Sequence, residues 1–123
     1  MKKKITFAVF GNEYQTRKST SAQKLFSILS ERKAEVYVEK IFYKFLTEGQ
    51  RLSVPCAGTF SVLDFDVDFV ISMGGDGTLL KAASKVGNRN VPIIGINMGR
   101  LGYLADVLPT EIDKAVSMLY SGN

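Results

Sequence analysis

The chain has 123 residues, of which 46% are apolar and 23% charged, so the composition predicts one soluble globular domain and excludes a disordered chain. The net charge of +4 fits an anionic ligand without demanding one. The absence of histidine excludes a Ser-His-Asp or Cys-His catalytic site and any histidine-ligated metal within the chain, so the lone Cys56 is not expected to be a nucleophile.

The first half of the chain alternates short apolar runs with a helical pattern. Residues 5–10 form a run that is apolar apart from Thr6, which predicts a strand buried on both faces. A helix is predicted to begin near 19–21, because apolar residues then recur at helical spacing and form one buried stripe: Ala22, Leu25, Phe26 and Leu29. Residues 36–38 predict a second strand. The aromatic segment 41–46 is ambiguous, and 49–66 is predicted to be a loop with a short strand or helix.

The second half repeats the alternation. Phe69–Met73 predicts a strand, and a helix is expected to open at Thr78, with a buried stripe made of Leu79, Ala82, Ala83 and Val86. Ile93–Ile96 predicts another strand. A last helix, capped by Thr110 with Asp113 as its capping-box partner, would bury Ile112, Ala115, Val116 and Leu119. The order β-α-β-α-β-α-β-α predicts an α/β fold, namely an open, mostly parallel, Rossmann-like sheet with helices on both faces.

The segment 74–78, Gly-Gly-Asp-Gly-Thr, joins a predicted strand to a predicted helix. Glycines let backbone N–H groups approach phosphate oxygens, and a helix N-terminus adds partial positive charge, which predicts a phosphate-binding turn made of Gly74, Gly75, Gly77 and Thr78. Phosphate repels a carboxylate, so Asp76 makes sense there as a base for a hydroxyl nucleophile or as a residue that helps to hold a metal. The alternative is turn chemistry alone, with Asp76 or Thr78 capping the helix.

This pentapeptide resembles the glycine-rich motif shared by NAD kinases, diacylglycerol and sphingosine kinases, and phosphofructokinases. A second segment, 95–106, reads Gly-Ile-Asn-Met-Gly-Arg-Leu-Gly-Tyr-Leu-Ala-Asp. It resembles the NAD kinase segment that follows the next strand of the same domain, and the spacing between the two segments also fits. The resemblance extends loosely over the whole chain, but only these two segments are specific.

The resemblance implies an enzyme that transfers a terminal phosphoryl group from ATP, or in some members from polyphosphate, to the 2′-hydroxyl of the adenosine ribose of NAD, giving NADP. A divalent metal, expected to be Mg²⁺, is required, and no residue of the chain is assigned as its ligand. Asp76 would be the catalytic base, and the substrate-binding residues would be Asp76, Gly77, Lys81 and Tyr103. Many members have Phe at the position of Tyr103, which is a mild departure.

The resemblance also implies that residues 1–123 form the N-terminal α/β domain of such an enzyme. The β-rich C-terminal domain of the family, whose Asn-Glu motif contacts NAD, is then expected to be missing from these residues, and the pair Asn12-Glu13 is not that motif because it follows the first strand. The isolated chain is therefore expected to be an inactive fragment, and the full-length enzyme is expected to form a homo-oligomer. No segment approaches the roughly 20 apolar residues of a membrane span, so a cytoplasmic protein without a membrane partner is predicted.

Several alternatives remain open at this stage. Lys81 could carry charge to a phosphate or be a solvated lysine, Arg100 could reach a phosphate or be a surface loop residue, and Tyr103 could stack on a base or belong to the core. Asp64, Asp66 and Asp68 alternate like the start of a calcium loop but lack its glycine, so they are interpreted as a solvated face. The aromatic residues of 41–46 are interpreted as core, and no nucleic acid partner is expected. The rival functions are a diacylglycerol-type lipid kinase and a non-catalytic nucleotide-binding module.

Overall fold

The computed structural model describes residues 4–11, 20–49, 51–74, 76–96 and 111–121. Within these ranges the strands are β1 (Thr6–Gly11), β2 (Glu35–Glu39), β3 (Gly58–Phe60), β4 (Phe69–Met73) and β5 (Ile93–Ile96). They form one sheet in the order β3-β2-β1-β4-β5, and every neighbouring pair is parallel. The predicted open parallel sheet is confirmed.

The helices in the described ranges are α1 (Thr20–Glu31), α2 (Lys40–Lys44), α3 (Asp76–Val86) and α4 (Ile112–Ser121), and a π-helical turn, Phe45–Gly49, continues α2. The ambiguous segment 41–46 is therefore helical. The predicted strict alternation is wrong at one place, because residues 61–68 join β3 to β4 without a helix. Helix α3 begins two residues before the predicted Thr78, and the predicted cap Thr110 lies outside the described residues.

Helices cover both faces of the sheet, as predicted. On β1, Phe7 and Val9 pack with α1, α2 and α4, whereas Ala8 and Phe10 pack with α3 on the opposite face. Burial on both faces explains why residues 7–10 of this strand are all apolar. All four residues predicted for the α1 stripe are buried, but Ala83 of α3 is exposed, because only Ala82 and Val86 of that helix reach the core.

The connection between β3 and β4 is held by polar contacts. The carboxylate of Asp68 accepts a hydrogen bond from the Thr6 backbone N–H at 2.8 Å, and the Asp68 N–H donates to the Thr6 carbonyl at 2.9 Å. Asp68 therefore fixes the start of β1, and its interpretation as part of a solvated face is wrong, whereas Asp64 and Asp66 are exposed. The guanidinium of Arg89 donates to the carbonyls of Leu63 and Phe65, which orders the rest of the connection.

The strand order creates a switch point between β1 and β4. From β1 the chain adds strands on one side, β2 and then β3, and from β4 it adds β5 on the other side. Ligands of open α/β sheets bind outside the carboxyl ends of the strands at such a point. The carboxyl ends of β1 and β4 lie level here, since Gly11 pairs with Met73. Any site at this edge is therefore built from the ends of these two strands, the ends of their neighbours and the turns that leave them.

Candidate functional site at the carboxyl edge of the sheet

The chain leaves the sheet at Gly74, immediately after β4. The N–H of Gly74 donates to the carbonyl of Ile96 at 3.0 Å, so the pairing of β4 with β5 extends one residue past the strand. The φ angle of Gly74 is +155°, a conformation that residues with a Cβ rarely adopt. Two residues later α3 begins at Asp76, so the strand-turn-helix geometry predicted for 74–78 is confirmed. Gly75 lies outside the described residues.

The first turn of α3 is directed to this edge of the sheet. Its leading backbone N–H groups have no partner within the helix, which makes them available to an anion. The backbone of Asp76 opens the helix, although its side chain is outside the described part of the chain. Thr78 is half-buried in the same turn.

Gly77, the second residue of α3, is a glycine that the fold does not require. It is exposed, and a Cβ added to it would meet nothing within 4 Å. Glycine in a helix is less favourable than alanine by up to about 1 kcal/mol, so its presence here carries a small cost in stability. The open space beside its backbone is suited to the close approach of a ligand.

Lys81 forms an ion pair that the sequence did not reveal. Its ammonium lies 3.0 Å from Oε2 and 3.1 Å from Oε1 of Glu39, the last residue of β2. The Glu39 side chain is only 6% exposed, whereas that of Lys81 is 35% exposed. Lys81 is therefore not a freely solvated lysine. An acidic residue at the carboxyl end of a buried strand was the one available signal for Glu39, since Rossmann-type sheets often place a ligand-binding carboxylate there.

The remaining predicted site residues lie outside the part of the chain that the structure describes. Tyr103 and Arg100 belong to 97–110, which the structure does not describe.

Burial raises the pKa of the Cys56 thiol, with a smaller opposing effect of a hydrogen bond from the Gly58 backbone, which agrees with the prediction that this cysteine is not a nucleophile.

Two further features of the described ranges concern metal ligands and membrane-spanning helices. The described residues contain no group of three or more His, Cys, Asp or Glu side chains placed to hold a metal ion. They also include no helix that combines the length and the apolar character needed to cross a bilayer.

Comparison with known proteins places the sequence in a family. The sequence matches the ATP-NAD kinase N-terminal domain over residues 7–123. It is 48% identical over 119 residues to an NAD kinase of Bacteroides fragilis, covering 97% of this chain and 41% of that protein. An NAD kinase of Porphyromonas gingivalis is 35% identical over 116 residues, with 94% of this chain and 40% of that protein covered. The chain thus spans about two-fifths of the length of these relatives.

The fold has a close counterpart among solved structures. A yeast NADH kinase complexed with NADH superimposes with a TM-score of 0.75 over 96% of this chain and 36% of its own, at 21% identity. At this identity the likeness supports the fold alone. The match of residues 7–123 to the family covers nearly the whole sequence, including the turn after β4. The chain belongs to the ATP-NAD kinase N-terminal domain family.

Proposed function

We propose that the full-length protein containing this chain phosphorylates the 2′-hydroxyl of the adenosine ribose of NAD, using ATP or polyphosphate, and releases NADP. The observation that carries the proposal is the turn 74–78, which lies at the switch point of the sheet in a chain of the ATP-NAD kinase N-terminal domain family. A diacylglycerol-type lipid kinase remains the alternative acceptor class, and the family match disfavours it.

In this proposal Asp76 removes the proton from the ribose hydroxyl, which is a poor nucleophile until a base and correct positioning assist it. Gly75, Gly77 and Thr78 offer backbone N–H groups to phosphate oxygens, whereas the N–H of Gly74 is already bonded to Ile96 and Gly74 contributes to the phosphate-binding turn through its backbone conformation. Gly77 lies against NAD, and Lys81 contributes a donor from one turn further along α3. Tyr103 lies near the adenine.

The donor phosphates would carry a divalent ion, expected to be Mg²⁺, since this ion is commonly bound through substrate phosphates and few protein ligands. It would neutralise charge that develops on the transferred group. No protein ligand is assigned to it.

The rest of the site is proposed to come from a further, β-rich domain, because this chain spans about two-fifths of its relatives. Residues 1–123 alone would then bind nucleotide weakly and show no kinase activity. The full-length enzyme is proposed to be a cytoplasmic homo-oligomer.

Replacement of Gly77 by Ala tests whether the open space beside α3 belongs to the ligand. Because no neighbour lies within 4 Å of the added Cβ, we expect the free energy of unfolding to stay level or to rise by up to about 1 kcal/mol. The same methyl group would obstruct NAD, so its Kd should rise at least about tenfold, which is about 1.4 kcal/mol. Urea denaturation and titration calorimetry on the full-length protein measure the two quantities.

Gly87→Ala is the matched control. Gly87 comes directly after α3 and has a φ of +64°, so the alanine should destabilise the protein by about 1 kcal/mol and leave NAD binding unchanged. A Gly77→Ala protein that binds NAD as tightly as the wild type would remove Gly77 from the proposed site.

The acceptor class is tested by label transfer. Full-length protein is incubated with ATP labelled in the terminal phosphate and with either NAD or diacylglycerol in vesicles. The proposal requires label in the dinucleotide and none in the lipid; label in the lipid alone would establish the alternative.

A further inference from the structure

Glu39, the last residue of β2, is the one buried charged residue in the described part of the chain, and the proposed chemistry leaves it without a role. Glu39 is a charged residue with a side chain only 6% exposed, and carboxylates are rarely buried to this degree unless they are paired. Both of its oxygens lie within 3.1 Å of the Lys81 ammonium. Both oxygens of its carboxylate are thus paired with one lysine.

The pair crosses the switch point. β2 and β4 are not neighbours, because β1 lies between them, and α3 follows β4 along the chain. Val9 pairs with Val38, so Glu39 is level with Phe10, one residue before the end of β1. Lys81 therefore reaches Glu39 from α3 by crossing β1 at the level of Phe10, one residue before the carboxyl end, where a ligand of this sheet would bind.

The chemistry of the pair leaves one donor available. A lysine ammonium has three N–H donors, and Glu39 has two acceptor oxygens within hydrogen-bond distance of it. The third donor is available to a ligand, since the Lys81 side chain is 35% exposed although its partner is nearly buried. An unpaired lysine would instead lose side-chain entropy each time it ordered against a ligand.

We propose that Glu39 is a positioning residue, which holds the Lys81 ammonium so that its remaining donor is directed to an oxygen of the dinucleotide at the switch point. The inference rests on the proposed function, because it requires NAD at this edge. Glu39 acts only through Lys81 and does not touch the reacting atoms. It should therefore affect the binding of NAD and leave the chemical step unchanged.

Steady-state kinetics of the full-length enzyme test this with Glu39→Gln, Lys81→Met and the double variant. Glu39→Gln should raise KM for NAD about tenfold, the usual scale for a hydrogen bond to a charged group, with kcat changed less than about twofold. In the Lys81→Met background the same substitution should change KM by less than about twofold. An unchanged KM in Glu39→Gln, or an equal rise in both backgrounds, would overturn the proposal.

Glu35→Gln is the matched control, because Glu35 lies at the other end of β2 and accepts a hydrogen bond from the Tyr37 hydroxyl at 2.7 Å. It should leave KM unchanged. Thermal unfolding of every variant shows whether a substitution acts by destabilising the fold and not by misplacing Lys81. Loss of folded enzyme lowers the measured kcat without raising KM. If Glu39→Gln cannot be recovered folded, Glu39→Asp keeps the charge but withdraws the carboxylate from Lys81, and the same rise in KM is expected.

Equilibrium binding keeps the two proposals distinguishable. If the wild type binds NAD but forms no NADP, the proposed function fails, while a Kd about tenfold higher in Glu39→Gln still supports positioning and an unchanged Kd overturns it. If the wild type forms NADP and Glu39→Gln has wild-type KM and Kd, only the positioning role fails. A wild-type protein that does not bind NAD overturns both.

Discussion

Substitution of Asp76 by Asn in the full-length protein is expected to lower kcat by about 10²–10⁴-fold, the range attributed to a positioned general base. Asn keeps the shape of the side chain at the first residue of α3 but cannot accept the proton of the ribose hydroxyl. The Kd for NAD should remain within a few-fold of the wild-type value, because the base acts on the hydroxyl in the transition state. Single-turnover kinetics and calorimetric titration with NAD measure the two effects separately.

The matched control for this substitution is Asp113→Asn. Asp113 is an exposed carboxylate in the first turn of α4, so both variants lose a similar small interaction with a helix dipole. Only the Asp76 variant should lose turnover. Wild-type turnover in Asp76→Asn would show that another group takes the proton and would remove Asp76 from the catalytic role.

Substitution of Gly11 by Ala is expected to have the largest effect on stability. Gly11 is the last residue of β1, and a Cβ built on it would overlap three atoms of the Phe42 ring. That ring is fully buried in the core under α2, so it cannot move aside into solvent. Overpacking of this kind costs typically about 1–3 kcal/mol, which urea denaturation of the chain would report as a lower midpoint with an unchanged slope.

The cause of that loss can be isolated with Phe42→Leu. The smaller side chain opens space beside Gly11, so Gly11→Ala should be less costly in the Phe42→Leu background by at least about 0.5 kcal/mol. Gly77→Ala provides the comparison, because a Cβ added at Gly77 would meet no atom within 4 Å. If Gly11→Ala destabilises both backgrounds equally, the Phe42 ring is not the reason that glycine is needed there.

Strands and helices whose own residues show a clear apolar pattern could be predicted from the sequence. β1 and β4 are buried on both faces and so are apolar along most of their length, and α1 has a stripe at helical spacing that is buried throughout. α2 could not be assigned, because it has only five residues and its single buried residue, Phe42, is set by contact with the end of β1. Most of the connection 61–68 was predicted as loop, but the contacts that order it could not be, since Arg89 and Asp68 bond to backbone groups distant in sequence and Leu63 is buried in the core.

Part of the candidate site could likewise be predicted from the sequence, and part could not. The turn 74–78 could be predicted because strand, turn and helix follow one another in the sequence, and its glycines mark a close backbone approach. The pairing of Lys81 with Glu39 could not, because the residues are 42 positions apart and meet only through the strand order that places β1 between β2 and β4. Lys81 was named from its place in the predicted helix, and nothing in the sequence joined it to Glu39.

The position of the transferred phosphate tests the proposed reaction most directly. Full-length protein would be incubated with NAD, ATP and Mg²⁺, and the product examined by ³¹P NMR and by its reduction with an NADP-specific dehydrogenase. A new phosphate monoester on the 2′-oxygen of the adenosine ribose, in a product that the dehydrogenase accepts, is the expected result. No new monoester on NAD, or a monoester on another hydroxyl, would contradict the assignment of the 2′-hydroxyl as acceptor.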